Sequence, residues 1–417
     1  MELKKIVIQI LRWKLRWLAQ LTIWRYRPGI IGVTGSVGKT STKLAIAAVL
    51  GSERRVRASR GNLNNDLGLP LTILGDWREK DLKLISREQP EGERIFEKSF
   101  FWLKVIFLGC FRIIFSQRSS YPEILVLEYG ADRPGDIKNL LGIARPNIGV
   151  ITAIGDVPVH VEFYKGPDEV AREKARLVEY LPAAGFAVLN CDDKTVMDLQ
   201  DRTRAHVMTY GFGKGAELRI SRFENRFDDN EPKGIAFRLE YAGATVPVKL
   251  DGMLGKSQAY AAGAAAALGL VFGMNLVKIS EALKSYIPPP HRMQLLRGVK
   301  DTYIIDDAYN ASPLSMEAAL YTLSMLPGKR KIVVLGDMLE IGEYTMKAHE
   351  EIGRKVGAFV DLLVTIGSRA KFIAEGAKKE GMSKKNIKSF DTPEEAAKPV
   401  EGLIKKGDLV LVKASRG

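Results

Sequence analysis

The run from Gly32 to Thr42, GVTGSVGKTST, restricts what this chain can fold into more than any other stretch. An apolar strand, Ile30 to Val33, leads into it, and a helix over Thr40 to Leu50 leads out. Glycines at such a turn let backbone N–H groups wrap round phosphates, and the helix N-terminus favours their charge. Gly35, Ser36, Val37, Gly38, Lys39, Thr40 and Ser41 are therefore the expected nucleotide-binding residues. Lys39 would reach the β- and γ-phosphate oxygens, and the Thr40 hydroxyl would serve Mg²⁺. The strict Walker spacing has glycine where Val33 stands, so this is a GxxGxxGKT variant.

A strand–loop–helix of this kind belongs to a mostly parallel sheet with crossover helices, and the following residues keep that rhythm. Further strands are expected at Ile124 to Glu128, Ile148 to Ala153 and Ala187 to Asn190. Short alternating runs between about 215 and 250 point to a small antiparallel annex. The alanine-rich run Ser257 to Leu270 reads as a closely packed helix. Pro288, Pro289 and Pro290 then form a stiff break. Beyond them Tyr303 to Asp306, Ile332 to Leu335, Leu362 to Thr365 and Leu409 to Val412 alternate with helices. The fold class is thus α/β: a central P-loop ATPase domain over 29–290 and a Rossmann-like C-terminal domain over 291–417.

Two segments stand outside this plan. Residues 1–28 read as a basic amphipathic helix, with Lys5, Gln9, Arg12, Arg16 and Gln20 on one stripe. Ile6, Ile10, Trp13, Trp17, Leu21 and Trp24 occupy the other side. The second is an apolar insertion at about 95–118, whose run Phe100 to Phe115 falls short of the roughly 20 residues that span a bilayer. The formal charge of +14 admits nucleic acid, an anionic membrane face or a phosphorylated substrate. Zinc-finger spacing and aromatic RNA-binding signatures are absent, so nucleic acid ranks last. The excess sits at the start, where Lys4, Lys5, Arg12, Lys14, Arg16, Arg25 and Arg27 face only Glu2. That placement favours peripheral contact with the inner face of the membrane. The competing expectation is that both segments pack on the core with no lipid involved. Cys110 and Cys191 imply neither a disulfide framework nor a zinc site, which fits the cytoplasm.

Three more residues stand out. Glu128 closes an apolar strand, where phosphate-transferring sites place a carboxylate for Mg²⁺. His160 follows a strand and a loop, and Lys174 lies in the charged helix Asp168 to Leu177. Alone, either would be read as a solvated surface residue.

Together with GNLNNDLGLPLTIL from Gly61, LEYGADRPGDI, IDDAYNASPLSM, LGDMLEIGE and LVKASR, these motifs resemble the Mur ligase family of peptidoglycan precursor synthesis. The D-alanyl-D-alanine-adding branch fits best, over roughly residues 30 to 416. The resemblance implies an ATP-dependent amide ligase acting through an acyl phosphate, with a muramoyl tripeptide and D-Ala-D-Ala as substrates. It also implies that Glu128 and His160 ligate Mg²⁺ and that Lys174 does so as a carbamate. Arg292 would contact ATP phosphate, Gln258 the adenine and Asp307 the ribose. Asn62, Asn64, Asn65, Tyr309 and Asn310 would serve substrate.

The family's adenine signature, a His-Asn pair followed by Asn, reads Ser257, Gln258 and Ala261 here. Typical members also carry an N-terminal domain for the UDP end of the substrate, which 28 residues cannot build. A partner replacing that domain is therefore expected, or a different hold on the substrate. Three other readings stay open: a folylpolyglutamate-synthetase-like ligase on another carboxylate, a P-loop switch ATPase, and a catalytically idle scaffold.

Overall fold

Gly29–Thr34 carries apolar residues on both faces, as a strand at the middle of a parallel sheet must. In the computed structural model it pairs in parallel with Ile124–Glu128 on one side and Ile148–Ile151 on the other. The structure describes residues 2–85, 94–228, 231–328 and 330–416, with the side chains of residues 2–5 and of Ile95 outside that description. Val56–Ala58 closes one edge of the sheet, and Phe186–Asn190 and His206–Gly211 continue the other. The chain crosses from Gly29–Thr34 to one side first, and from Ile148–Ile151 to the other side later. Connections that diverge in this way open a crevice at the C-terminal ends of the strands, where open α/β sheets bind ligands.

The antiparallel annex is longer than its sequence suggests. Leu218–Asp228, Glu231–Tyr241 and Ala244–Asp251 extend the same sheet to nine strands. The alanine-rich helix, Lys256–Val271, is buried along most of its length and packs on the helix Lys39–Gly51 that follows the phosphate loop. Small side chains allow that close approach of the two helices.

A second sheet of six strands runs Gln294–Arg297, Tyr303–Asp306, Leu409–Lys413, Lys331–Gly336, Leu362–Ile366, Ile387–Phe390. Its first strand is antiparallel and the others are parallel. The two sheets touch through Leu254, whose N–H donates to the Met293 carbonyl, and through the bridge between Met253 and Gln294.

The N-terminal helix, Glu2–Tyr26, and the helix Ile95–Phe115 lie on the short helix Gly68–Leu74. Leu15, Leu18, Phe101 and Val105 are buried together there with Leu71, Leu74 and Trp77. The stripe with Ile6, Ile10, Trp13, Trp17 and Trp24, which the sequence sets opposite the cations, turns outward. A different row, Leu15, Leu18, Ala19 and Tyr26, meets the core. Lys4 and Lys5 fall outside the described side chains. Among the described residues no helix is long and apolar enough to cross a membrane.

Candidate active site

The phosphate loop takes its shape from backbone contacts that only glycine permits. Gly35 and Gly38 have φ of 146° and 89°, and a Cβ on Gly35 would stand 2.1 Å from the Thr152 hydroxyl. The Ser36 N–H donates to the Ala153 carbonyl, and Thr152 Oγ1 donates to the Val37 carbonyl, which pins the loop to the next strand. No side chain caps the helix that begins at Lys39, so the N–H groups of its first turn are left for a ligand. Ser36 Oγ is buried there without a hydrogen-bond partner. A buried hydroxyl with no protein partner beside open backbone donors fits a phosphate. Lys39 Nζ meanwhile donates to the Gly35 carbonyl at 2.8 Å.

Glu128, 1% exposed, is the electrostatic centre. Thr40 Oγ1 donates to its Oε2 at 3.1 Å, Lys43 Nζ approaches the same oxygen at 3.1 Å, and Asn64 Nδ2 donates to Oε1 at 3.2 Å. Burial opposes the ionised form, but Lys43 and then Lys39 outweigh it and hold the carboxyl below the usual carboxylate range. Lys43 was not singled out in the sequence, although it stands one helical turn after Lys39 and so shares its face.

His160 stands at the cleft with φ of 69°, between Asp132 and Glu340. Its Nε2 is 3.4 Å from Asp132 Oδ1. Its Nδ1 is 2.7 Å from Glu340 Oε2, yet off the hydrogen-bonding direction, so that contact is a close approach only. Lys174 does not line the cleft; it is buried behind the wall at 1% exposure. Burial first, and the Lys39 charge second, lower its pKa to about 7. Among the described residues no group of three or more His, Cys, Asp or Glu side chains is arranged to hold a metal.

The opposite wall comes from the C-terminal domain. The Arg292 guanidinium lies 4.0 Å from the centre of the Tyr309 ring, and that of Arg416 lies 4.2 Å from it. His291 and Met293, on either side of Arg292, both have positive φ, so the linker aims this arginine at some conformational cost. Asp307 is engaged twice: Oδ1 accepts from the Met293 N–H at 3.1 Å and Oδ2 pairs with the buried Lys413. Asn310 accepts from Ala311 N–H through its side chain and from Lys413 through its carbonyl. Asn65 accepts from the Gly68 N–H at 2.8 Å, at the start of a helix, and both it and Asn62 line the cleft.

Gln258 is the largest difference from the sequence expectation. Its Nε2 donates to the Arg292 carbonyl at 2.8 Å, and its Oε1 accepts from the Tyr286 hydroxyl at 2.7 Å. Both ends of the amide are thus spent on the linker, and Gln258 positions Arg292. Gln258→Met should leave two buried polar groups unpaired and cost about 1–3 kcal/mol of stability. We expect a lower melting temperature together with a raised KM for ATP; an unchanged KM would detach Gln258 from the arginine.

Most of these groups line one cleft of about 720 Å³, whereas Lys43, His291, Tyr286 and Lys174 do not. The cations Lys39, Arg292, Lys413 and Arg416 and the carboxylates Glu128 and Asp132 meet there, with Lys43 buried against Glu128. Fold and site define a P-loop α/β protein of two sheets with a cation-lined cleft at its phosphate loop. The Mur ligase middle domain matches residues 33–85 and 108–269, and the Mur ligase glutamate ligase domain matches residues 291–416. A UDP-N-acetylmuramoyl-tripeptide–D-alanyl-D-alanine ligase of Bacillus subtilis is 31% identical over 97% of this chain and 76% of its own length. A crystal structure of MurF from Acinetobacter baumannii aligns with a TM-score of 0.77 and 25% identity, over 97% of this chain and 78% of that one. The MurF ligase of Thermotoga maritima in complex with ADP aligns at 0.74 and 26%, over 96% and 80%. This chain belongs to the Mur ligase family and is an ATP-dependent acid–amino-acid ligase.

Proposed function

We propose that this enzyme joins the carboxylate of a UDP-N-acetylmuramoyl-tripeptide-like precursor to the amine of D-Ala-D-Ala. The observation that carries this reading is the single cleft in which the phosphate loop faces Arg292 and Tyr309, in a chain whose relatives bear that substrate in their names. A precursor carboxylate attacks the γ-phosphorus of ATP in line, giving an acyl phosphate and ADP. The amine of the second substrate then attacks the carbonyl carbon and releases phosphate. A phosphoryl transfer of this kind needs positioning and charge neutralisation more than covalent help. Lys39 leaves its loop carbonyls for the β- and γ-oxygens, and Arg292, held by Gln258, meets the γ-phosphate from the other domain. Asn62 and Asn310 line the same cleft and would serve the precursor and the amine.

Mg²⁺ fits the Thr40 hydroxyl and the Glu128 carboxylate, which already lie 3.1 Å apart at the mouth of the loop. Few protein ligands suit an ion that keeps water and phosphate oxygens in its shell. Bound there, it would neutralise charge building on the phosphates. A second ion would take His160, with Lys174 as its carbamate. The buried amine with its lowered pKa supports that chemistry, since only a neutral amine adds to CO₂. ATP and nucleotide-linked precursors place the enzyme in the cytoplasm.

The test is purified enzyme with ATP, Mg²⁺, UDP-MurNAc-tripeptide and D-Ala-D-Ala, followed by mass spectrometry. The UDP-MurNAc-pentapeptide should accumulate. Phosphate release without any condensed product would overturn the substrate assignment.

A further inference from the structure

We infer that the outward faces of the N-terminal helix and of the helix Ile95–Phe115 together dock this protein on an anionic lipid surface. The N-terminal helix has two apolar stripes on opposite sides: Leu15, Leu18 and Tyr26 meet the core, while Ile10, Trp13, Trp17 and Trp24 do not. Those four are 48%, 65%, 51% and 70% exposed. The helix Ile95–Phe115 repeats the arrangement. Phe101 and Val105 are buried, and Phe100, Leu103, Phe107, Phe111 and Ile114 stand out on the other side. Phe107, Phe111 and Phe115 form a row of ring contacts along it, with centroids 6.4 Å and 5.0 Å apart. Both helices rest on Gly68–Leu74, and Leu18 of one lies against Gly109 of the other. The two outward stripes therefore belong to one layer.

Charge selects the occupant. Residues 1–28 hold seven lysines and arginines and only Glu2 of opposite sign. At 100° per residue, exposed Lys14 and Arg25 flank the tryptophan stripe on one side, and Gln9, Arg16 and Gln20 flank it on the other. Arg27 is exposed just beyond the helix. Tryptophan at headgroup depth, phenylalanine below it and cations at the rim is the pattern of a helix lying in a membrane interface. No described helix can span the bilayer, so the contact is peripheral. None of these outward residues lines the ligase cleft, and the inference does not depend on which carboxylate that cleft takes.

The test is co-sedimentation with vesicles of phosphatidylcholine containing about a third phosphatidylglycerol. Intact protein should pellet with them at about 0.05 M salt, less at about 0.5 M. Pure phosphatidylcholine should bind about tenfold less. Trp17→Gln combined with Phe107→Gln removes outward groups only. It should cut binding about tenfold or more while ATP turnover and melting temperature stay as they were. Absence of pelleting at every salt concentration overturns the inference, and so does undiminished binding by the double variant. A concentration-dependent dimer that the double variant abolishes and vesicles do not compete with would give the face to a second copy instead.

Discussion

Lys39→Ala is expected to lower amide formation about a thousandfold or more and leave the fold intact. The lysine is a single charge aimed where negative charge develops, in a cleft whose walls exclude much of the water, so nothing else replaces it. Its two bonds, to the Gly35 and Ser36 carbonyls, lie within one loop rather than joining two elements. The core beneath that loop is built by Ile31, Val33, Ile46 and Val49, which the substitution does not touch. The melting temperature should therefore shift by only a few degrees, equivalent to about 1 kcal/mol or less. ATP consumption at the parent rate with both substrates present would remove Lys39 from the chemistry.

The second large effect is expected at Lys174. Its pKa of about 7 leaves roughly half the amine neutral at pH 7, against roughly one part in 3,000 for an ordinary lysine. Loading with CO₂ should follow that fraction, rising with pH through about 7. The stability sign agrees. The unfolded chain keeps its proton up to 10.5 while the folded one releases it near 7, so the penalty of burying this amine shrinks as pH rises between those values. Buffer stripped of CO₂ should lower activity, and bicarbonate should restore it. Lys174→Ala should lose about a hundredfold or more and recover partly with formate or acetate, which can stand where the carbamate oxygens would. Carbon-13 bicarbonate should give a carbamate resonance in the parent protein and none in the variant. An unchanged rate in Lys174→Ala, with no such resonance in the parent, would return this lysine to a buried structural role.

The phosphate loop is legible in the sequence because glycine spacing, a strand before and a helix after all constrain one short stretch. The paired carboxylate is legible for a similar reason: Glu128 is the acid at the end of an otherwise apolar strand. What fails is the reading of side chains whose partners come from distant elements. Gln258 sits on the helix expected to meet adenine, but Tyr286 and the Arg292 carbonyl claim its amide, and neither is near it in sequence. Lys413, just past the expected strand Leu409 to Val412, is buried against Asp307 and the Asn310 carbonyl, partners about a hundred residues away. The N-terminal helix is misread for a different reason. A wheel divided into apolar and basic halves hides a second apolar row, and periodicity does not tell which row the core will take.

The central claim is that the substrate carboxylate is activated as an acyl phosphate, and the fate of its oxygens tests this most directly. A precursor carrying heavy oxygen in the reacting carboxylate should pass one labelled atom to inorganic phosphate as the amide forms, because the amine displaces the phosphorylated oxygen. Mass spectrometry of the released phosphate reads this in a single turnover. Label in phosphate, in proportion to product, is the result this account predicts; phosphate whose new oxygen comes only from water, with ATP still consumed, would contradict it.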